Sequence, residues 1–227
     1  MNHPKILISV PNGNGLIHKH VVFYLMHVMA ERRFDVNVIL PTNSPYVNNL
    51  HKIRLDFLKG DYTHWLTLDA DNPPRRGVEP LENTFEDFDI VGYPTPVWHN
   101  DASRPGDYPI YWNVMREVCE DGEFKGWKPY EIMEGIQRVD AVGSGCLLIA
   151  RRVMEEMKSP FMRGWDENGI AEYGGDFMFC RRAKEAGFQV WADFTRPCMH
   201  FTSGVEIAEI AQAFRSVQEV EEVARCL

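Results

Sequence analysis

The segment HWLTLDADNPP (64–74) joins an apolar strand to two aspartates and a double proline. Its first five residues have strand composition, and the prolines end the regular structure. Because side chains two residues apart in a strand point to the same side, the sequence predicts that the carboxylates of Asp69 and Asp71 converge. Converging carboxylates repel each other unless a cation or hydrogen-bond donors compensate their charge. The segment therefore predicts a divalent metal site, and the alternative is a surface turn built by Asp71 and Asn72.

Strand-like and helix-like segments alternate around this stretch. Three short apolar segments predict strands and two segments with helical spacing predict helices: KILISV (5–10), DVNVIL (35–40) and THWLTL (63–68), separated by 18–33 and 46–60. This alternation is typical of a parallel sheet covered by helices. In an open sheet of this type the ligand crevice lies outside the carboxyl ends of the strands, where the two aspartates fall.

The pattern is less regular after residue 75. The sequence predicts further strands at 89–94, 110–118, 137–142, 146–150 and 188–193, helices at 151–157, 174–187 and 205–227, and a loop over 95–109. The last helix is amphipathic, apolar at VEIAEIAQAF and acidic at EVEEV, and we expect it to pack on the same chain. The predicted fold class is α/β in one domain.

Composition excludes several classes of protein. The 227 residues are enough for one domain with a sizeable core, and 44% hydrophobic and 25% charged residues are ordinary for a globular chain. The formal net charge of −9 argues against a broad basic surface for nucleic acid. The sequence has no apolar run near the roughly 20 residues that span a bilayer and no signal-peptide pattern, so we expect a cytoplasmic protein. Five scattered cysteines favour reduced thiols over a disulfide framework or a zinc site.

Three further motifs place polar groups near predicted strand or helix ends. In VGSGCLLIARR (142–152), Gly143, Ser144 and Gly145 precede an apolar strand, where glycines allow a ligand to approach the backbone; the alternative is a plain tight turn. Asp176 falls in the first turn of a predicted helix, where it can act on a substrate or only cap the helix. His200 follows a late strand, where it can bind a metal or sit in the core.

Taken in chain order, these segments resemble a known family. KILISVPN, RLDFLKGDYTHWLTLDADNPP, DIVGYP, VGSGCLLIARRVMEEM, GGDFMFCRRAKEAGFQVWAD and MHFTSG together look like a small GT-A glycosyltransferase, family-2-like, of the type frequent in phage and bacterial genomes. The resemblance covers nearly the whole chain. It implies a single GT-A (Rossmann-like) domain over 1–227, with a mixed, mainly parallel central sheet flanked by helices. Residues 1–94 would be the nucleotide-binding half, and residues 95–227 the acceptor-binding half with the C-terminal helix.

The resemblance also implies an activity and a metal. Such enzymes transfer a sugar from a nucleotide diphosphate sugar, here a UDP-sugar by analogy, and use Mn²⁺ or Mg²⁺. Asp71 would be the direct metal ligand, Asp69 would hold the ribose or the water shell of the metal, and His200 would complete the metal site. Carboxylate, imidazole and diphosphate oxygens suit Mn²⁺ well.

Other residues take donor-binding roles by the same resemblance. Pro11 and Asn12 match the loop that faces the nucleotide base, and the glycine turn at 143–145 would contact the donor. Arg54 resembles an arginine that reaches the diphosphate from the helix before the acid pair; the alternative is an exposed helix residue paired with an acid.

Asp176 corresponds to the general base of inverting members, which takes the proton of the acceptor hydroxyl. This chain departs from the common pattern, because Gly175 stands where relatives often have glutamate. Further candidates on the acceptor side are Trp165, Asp166, Glu167 and Glu172. Pattern alone leaves inversion or retention of the anomeric configuration open.

The acceptor is left between two classes, a glycan or small saccharide and a hydroxymethylated pyrimidine in phage DNA. Aromatic rings in the segment 95–130 can stack on a sugar or a base: Trp98, His99, Trp112 and Trp127. The acidic net charge counts against DNA. We expect no membrane partner, a location in the cytoplasm (that of the host if a phage encodes the protein), and a monomer in preference to an oligomer.

Three other functions remain open from the residues. A nucleotidyltransferase acting on sugar phosphates would share the sheet, the metal and the nucleotide. A non-catalytic module would bind a nucleotide sugar without turnover. A dehydrogenase is indicated only by Gly13 and Gly15 after the first strand, since His18 occupies the third glycine position of the dinucleotide motif.

Overall fold

The computed structural model describes residues 4–13, 15–42, 46–98, 110–130, 134–165, 167–202 and 205–206. These residues form four α-helices and one 3-10 helix: α1 (Lys19–Glu31), α2 (Tyr46–Lys59), α3 (Arg151–Glu156), α4 (Gly175–Glu185) and the 3-10 helix Pro80–Phe85. They also form strands β1 (Lys5–Ser9), β2 (Asp35–Ile39), β3 (His64–Leu68), β4 (Ile90–Gly92), β5 (Pro96–Trp98), β6 (Ile110–Trp112), β7 (Val114–Glu120), β8 (Glu123–Pro129), β9 (Ile136–Arg138), β10 (Ala141–Val142), β11 (Cys146–Ala150), β12 (Gly164–Trp165), β13 (Ala171–Tyr173), β14 (Val190–Asp193), β15 (Phe201–Thr202) and β16 (Val205–Glu206).

Seven strands form a central sheet in the order β2-β1-β3-β11-β4-β14-β9. Strands β1, β2, β3, β4 and β14 run in one direction, whereas β11 and β9 run in the other. The predicted α/β class with a mixed, mainly parallel sheet and flanking helices is therefore confirmed. Strands from both the 1–94 and the 95–227 segments interleave in this one sheet, as expected of a single Rossmann-like domain.

The antiparallel strand β11 positions the candidate site. It lies between β3 and β4, and its first residue, Cys146, pairs with Leu68, the last residue of β3. Because β11 runs opposite to β3, the turn before β11 lies beside the residues after β3. The backbone N–H of Asp69 accordingly donates to the carbonyl of Gly145 at 2.8 Å.

Helices cover the sheet on two faces, and alternating side chains of the inner strands supply both cores. On β1, Leu7 packs with the apolar side chains of α2, α3 and α4, whereas Ile6 and Ile8 pack with those of α1 and the 3-10 helix. The same alternation places Trp65 of β3 in the first core, where its indole N–H donates to Ser9 Oγ at 2.7 Å. Burying strands on both faces explains their continuous apolar composition.

The segment 95–130 differs from the sequence prediction. Pro96–Trp98 was expected in a loop but is a strand that pairs antiparallel with Ile110–Trp112. A long hairpin follows, in which Val114–Glu120 pairs with Glu123–Pro129 around a turn at Asp121 and Gly122, both with positive φ. Asp-Gly between two strands is a strong hairpin signal, so the sequence contained the information that the prediction missed.

The predicted C-terminal helix lies almost entirely outside the described residues. Its first two residues, Val205 and Glu206, form β16 and pair with Phe201–Thr202, so this short part is strand and not helix. Among the described residues, none of the helices combines the length and the apolar character needed to cross a bilayer.

Candidate active site

The two aspartates follow β3 at the edge of the sheet predicted to bind ligand. Asp69 Oδ1 accepts a hydrogen bond from the Tyr46 hydroxyl at 2.9 Å, and the Asn72 N–H donates to the Asp69 carbonyl at 3.2 Å. The backbone thus turns after Asp69, as the surface-turn alternative expected, while Asp71 keeps half of its side chain exposed. The negative charge of Asp71 acts on Asp69, so the turn places the two carboxylates in one electrostatic environment.

His200 lies beside Asp71. Its Nε2 is 3.9 Å from Asp71 Oδ2, and its Nδ1 is 2.8 Å from the carbonyl oxygen of Pro96. A carbonyl only accepts, so Nδ1 carries a proton, and in the neutral ring the lone pair of Nε2 is left facing Asp71. The chain holds this arrangement through a hydrogen bond from the Phe201 N–H to the Asp71 carbonyl at 3.0 Å. The structure therefore brings together the residues that the sequence places far apart.

This pair suits a divalent cation. A hydrogen bond from the distal ring nitrogen to a backbone carbonyl is the usual way in which proteins orient a metal-binding histidine. A carboxylate oxygen and an imidazole nitrogen fit Mn²⁺, and Mg²⁺ tolerates the nitrogen less well. Within the described ranges no three side chains of His, Cys, Asp or Glu cluster as a metal site. Asp71 and His200 would therefore hold a cation only together with oxygens from substrate and water.

The pKa of Asp69 is raised to about 7, first by burial and also by the charges of Asp71 and Asp176, against the opposing hydrogen bond from Tyr46. Burial also raises the pKa of Tyr46, with the charge of Asp69 adding to the effect. The tyrosine hydroxyl thus remains a proton donor to Asp69 near neutral pH. Asp69 is poised to lose its proton when a positive charge enters the site.

This raised pKa predicts a stability gain for Asp69→Asn. The unfolded pKa is about 3.9, so between about pH 4 and pH 7 the folded state binds more protons and the stability of the parent protein falls as pH rises. The stability of the Asp69→Asn variant does not fall in this pH range, because asparagine does not titrate. We expect the variant to be more stable than the parent by about 1–3 kcal/mol at about pH 8, and we expect no gain in stability below about pH 4.

Thermal unfolding at both pH values measures this gain, which corresponds to about 2–4 °C per kcal/mol for a chain of this size. Asp56→Asn, at an exposed carboxylate of α2, is the control and should show no such pH dependence. A less stable Asp69→Asn protein at about pH 8 would contradict the assignment.

Asp176 sits in the first turn of α4, as predicted. Its Oδ1 accepts from the Phe177 N–H at 2.9 Å and its Oδ2 from the Ser144 N–H at 3.4 Å. Burial raises the pKa of Asp176, and these two hydrogen bonds oppose the shift. Because its charge also raises the pKa of Asp69, the two carboxylates share the site. Asp176 is therefore a hydrogen-bond acceptor at the start of α4, and it lies near enough to Asp69 for its charge to act there.

The glycines of the 143–145 turn lie close to two asparagine side chains. A Cβ built at Gly143 would lie 2.5 Å from Asn113 Nδ2, and one at Gly145 would overlap the side-chain oxygen of Asn72. Both glycines therefore make room for asparagines of this chain, and the predicted contact of the turn with the donor stays a prediction. The Asn72 Nδ2 group is buried and has no partner among the described residues, whereas Ser144 contributes its N–H to Asp176.

A backbone contact favours glycine at position 175, the position at which the sequence departs from the pattern it resembles. A Cβ at this position would lie 2.5 Å from the carbonyl oxygen of Phe161. A carboxylate side chain next to Asp176 would therefore require the backbone at Phe161 to move. Of the substitutes considered, Glu167 is exposed, whereas Asp166 and the side chain of Glu172 lie outside the described residues.

We expect Gly175→Ala to destabilise the protein by about 1–3 kcal/mol, because overpacking against a backbone carbonyl cannot be relieved by a side-chain rotation. Gly13→Ala is the matched control, since nothing lies within 4 Å of its added Cβ. Urea unfolding of both variants measures the difference. A Gly175→Ala protein as stable as Gly13→Ala would show that the α4 start shifts without cost.

Arg54 joins two helices in the structure. Its Nε and Nη2 both donate to the Met154 carbonyl, at 3.0 and 2.6 Å, so the side chain links α2 to α3. Burial lowers its pKa. Arg54 also follows Tyr46 by eight residues along α2, a rise of about 12 Å. The guanidinium thus has a structural partner, and its contact with the diphosphate stays a prediction.

Pro11 and Asn12 lie at the carboxyl end of β1, on the same edge of the sheet as Asp69. Asn12 Oδ1 accepts from the Gly15 N–H at 2.6 Å, and its own N–H donates to the Pro41 carbonyl at 3.0 Å. The asparagine thus shapes the loop after β1. Its contact with a nucleotide base stays a prediction.

The structure adds residues that the sequence analysis missed. Tyr46 is the first residue of α2, and its hydroxyl donates a hydrogen bond to Asp69. No sequence pattern had marked it as a site residue. The ring of His18 stacks on Phe201 with centroids 3.9 Å apart, and the His18 N–H donates to the Ala70 carbonyl at 2.8 Å. Burial lowers the pKa of His18, and the charge of Asp71 opposes that shift. An aromatic pair therefore borders the acid pair.

The predicted acceptor-side aromatics divide into exposed and packed residues. Trp165 on β12 is 57% exposed and free to stack on a ligand ring. Trp112 packs edge-on against Phe194, and Trp127 packs against Phe124 and Phe177, so these two indoles serve the core. His99 and the side chain of Trp98 lie outside the described residues.

The sequence matches no protein-family model and no curated protein sequence. Among solved structures the chain is similar to A197 from STIV, with 18% identity, a TM-score of 0.57, and coverage of 88% of this chain and 87% of that one. Two other similarities have TM-scores too low to carry an argument. They are a Bacillus anthracis protein described as a glucose-1-phosphate thymidylyltransferase, in complex with sucrose (10% identity, TM-score 0.44, coverage 86% and 89%), and the inositol-1-phosphate CTP transferase from T. maritima (9%, 0.40, 85% and 89%). The likeness to A197 supports the Rossmann-like α/β fold and does not extend to activity.

Proposed function

We propose that the protein is a metal-dependent glycosyltransferase that moves a sugar from a nucleotide diphosphate sugar, a UDP-sugar by family resemblance, to an acceptor hydroxyl. The observation that carries this proposal is the meeting of Asp71 and His200, with Nε2 of the histidine free to face the carboxylate. This pair stands at the carboxyl edge of the sheet beside Asp69, where α/β folds bind nucleotides.

The bound cation, Mn²⁺ or Mg²⁺, would neutralise the charge that develops on the nucleotide diphosphate as it leaves. Asp71 and His200 would hold it. Asp69, fixed by Tyr46, would bind the ribose or water in the metal shell once its proton is lost. Asn12 at the end of β1 would face the base, and Ser144 would help to hold the donor beside Asp176.

Asp176 would act as general base. Its carboxylate takes the proton of the acceptor hydroxyl while that oxygen bonds to the anomeric carbon and the bond from that carbon to the phosphate oxygen breaks. The pKa raised by burial strengthens it as a base, and the N–H groups of Phe177 and Ser144 hold the carboxylate in place. This direct displacement would invert the anomeric configuration.

For the acceptor we favour a glycan or small saccharide over hydroxymethylated DNA. Trp165 offers an exposed ring on the strand pair that precedes α4, and a sugar ring can stack on it. The net charge of −9 opposes binding of a phosphate backbone.

The test is hydrolysis of a panel of nucleotide diphosphate sugars with and without Mn²⁺. Glycosyl transfer to water or to an added saccharide releases the free nucleotide diphosphate only when the metal is present. Release of pyrophosphate from a nucleoside triphosphate and a sugar phosphate would instead indicate a nucleotidyltransferase. Saturable binding without turnover on saccharide and DNA acceptors would indicate a binding module.

A further inference from the structure

His18 connects the two distant segments that carry the proposed cation ligands. Its backbone N–H donates to the carbonyl of Ala70, the residue between the two aspartates, at 2.8 Å. Its ring stacks on Phe201, the residue after His200, with the centroids 3.9 Å apart and an angle of 18° between the planes. One residue at the start of α1 therefore contacts both the Asp71 segment and the His200 segment.

Backbone hydrogen bonds hold the same two segments beside each other. The Met199 N–H donates to the Pro73 carbonyl at 2.9 Å, and the Phe201 N–H donates to the Asp71 carbonyl at 3.0 Å. These bonds fix the distance between the segments. They leave the second segment able to rotate about its own axis, and the packing of a large side chain removes that freedom. The ring of Phe201 provides this packing, and its stacking partner is His18.

The imidazole of His200 depends on this restraint. Its Nδ1 donates to the Pro96 carbonyl at 2.8 Å, and its Nε2 lies 3.9 Å from Asp71 Oδ2. A single hydrogen bond allows a ring to pivot about it. The distance from Nε2 to the carboxylate is therefore also set by where the backbone of His200 is held, and the neighbouring Phe201 holds it.

The nitrogen atoms and the face of the His18 ring have different contacts. Nδ1 accepts a hydrogen bond from the His20 N–H at 3.4 Å, so in the neutral ring the proton is on Nε2. Burial and then the charges of His20 and Lys19 lower the pKa of His18, whereas the charge of Asp71 raises it, so the ring lies within reach of that carboxylate. One nitrogen thus serves the start of α1, while the ring face serves the contact with Phe201.

We propose that His18 is a positioning residue, whose stack on Phe201 holds His200 where it faces the carboxylate across the proposed cation site. The functional meaning of this contact rests on the function proposed above, because the cation belongs to that proposal. The stack itself is a property of the fold, and its effect on the imidazole can be measured without a metal.

Two substitutions of His18 separate the stacking from the nitrogen chemistry. His18→Ala removes the ring, whereas His18→Phe keeps a flat ring that can stack on Phe201. Both lose the hydrogen bond from the His20 N–H, so the difference between them isolates the stack. Phe201→Leu removes the other ring of the pair and should behave as His18→Ala. His27→Ala, which removes an exposed imidazole from the same helix, is the control.

The first measurement is the tautomer of His200, read from long-range proton–nitrogen NMR correlations at about pH 8, where ordinary histidine rings are neutral. The signals of His200 are those that His200→Asn removes. In the parent the proton should lie on Nδ1, because this atom donates to the Pro96 carbonyl. We expect His18→Ala and Phe201→Leu to lower the population of this tautomer, and His18→Phe and His27→Ala to preserve it.

The second measurement is the affinity for a nucleoside diphosphate in the presence of Mn²⁺. We expect His18→Ala to weaken it about tenfold, because residues that hold a metal ligand in place change the affinity by about 10–100-fold when they are replaced. His18→Phe should retain the affinity of the parent. If His18→Ala does not fold, Phe201→Leu takes its place in both measurements.

Two results would overturn the positioning role. They are His200 signals that stay the same when the stack is removed, and a His18→Phe protein that loses the tautomer or the affinity as fully as His18→Ala, which would mean that the ring nitrogens act directly. Nucleotide binding by the parent that does not depend on Mn²⁺ would contradict the proposed function instead. The tautomer measurement would then still decide whether His18 positions His200.

Discussion

Asp176→Asn is expected to lower the rate of sugar transfer about 10²–10⁴-fold while donor binding stays nearly unchanged. Asparagine keeps a side-chain oxygen that can accept from the Phe177 N–H at the start of α4, and it loses only the longer hydrogen bond from the Ser144 N–H, since its amide nitrogen does not accept. What is lost is the basic oxygen that receives the proton of the acceptor hydroxyl. Burial is the first cause that raises the pKa of Asp176, so the substitution removes a stronger base than an exposed aspartate would be.

The measurement compares transfer rate with donor affinity in the same preparation. Glu185→Gln, at an exposed carboxylate near the other end of α4, is the control and should leave both quantities unchanged. Unaltered transfer in Asp176→Asn would remove this residue from the base role. A loss of donor affinity that matches the loss of rate would indicate a binding residue instead.

His200→Asn and Asp71→Asn are each expected to weaken the Mn²⁺-dependent binding of a nucleoside diphosphate by about 10–100-fold or more. Each substitution removes one of the two side chains that face each other at 3.9 Å. Asparagine at position 200 retains an N–H that can donate to the Pro96 carbonyl. The substitution therefore changes metal binding through the loss of the Nε2 lone pair and not through the loss of this hydrogen bond.

Thermal shift measures this effect, because a ligand that binds only the folded state stabilises it by about 2.7 kcal/mol at a hundredfold excess over its Kd. The parent should show a large shift with nucleoside diphosphate and Mn²⁺ together, and both variants a small one. His27→Ala, on an exposed histidine of α1, is the control. Equal Mn²⁺-dependent shifts in the parent and in His200→Asn would contradict the metal role.

Local pattern was sufficient for the first half of the fold. Local composition and the spacing of apolar residues predict the strands around Leu7, Val36 and Leu66 and the helices between them. Each of these signals is contained in a short segment of the sequence. The position of β11 is not local information, since an antiparallel strand between β3 and β4 depends on pairing across the whole sheet. The Asp-Gly turn at 121–122 was available to sequence reasoning and was overlooked.

The sequence predicted those site residues whose chemical type marks them as candidates. It did not predict the contacts that depend on how distant segments pack together. The acid pair, Asp176 and His200 stood out by type and order. The bond between Arg54 and the Met154 carbonyl was not predictable, because that carbonyl lies on a helix far along the chain. The asparagines that fill the space beside Gly143 and Gly145 were not predictable either, because they belong to distant segments. Tyr46 gave no signal, since a tyrosine at a helix start has many structural uses.

The insertion of β11 between β3 and β4 also bears on synthesis of the protein. Its pairing with β3 joins residues 64–68 to residues 146–150, and the histidine that faces Asp71 arrives only at position 200. Contacts of such long sequence separation form late and slowly. A nascent chain on the ribosome therefore has its acidic doublet exposed long before the partner imidazole has been translated, and the pair that we propose to hold the cation is complete only after His200 has emerged.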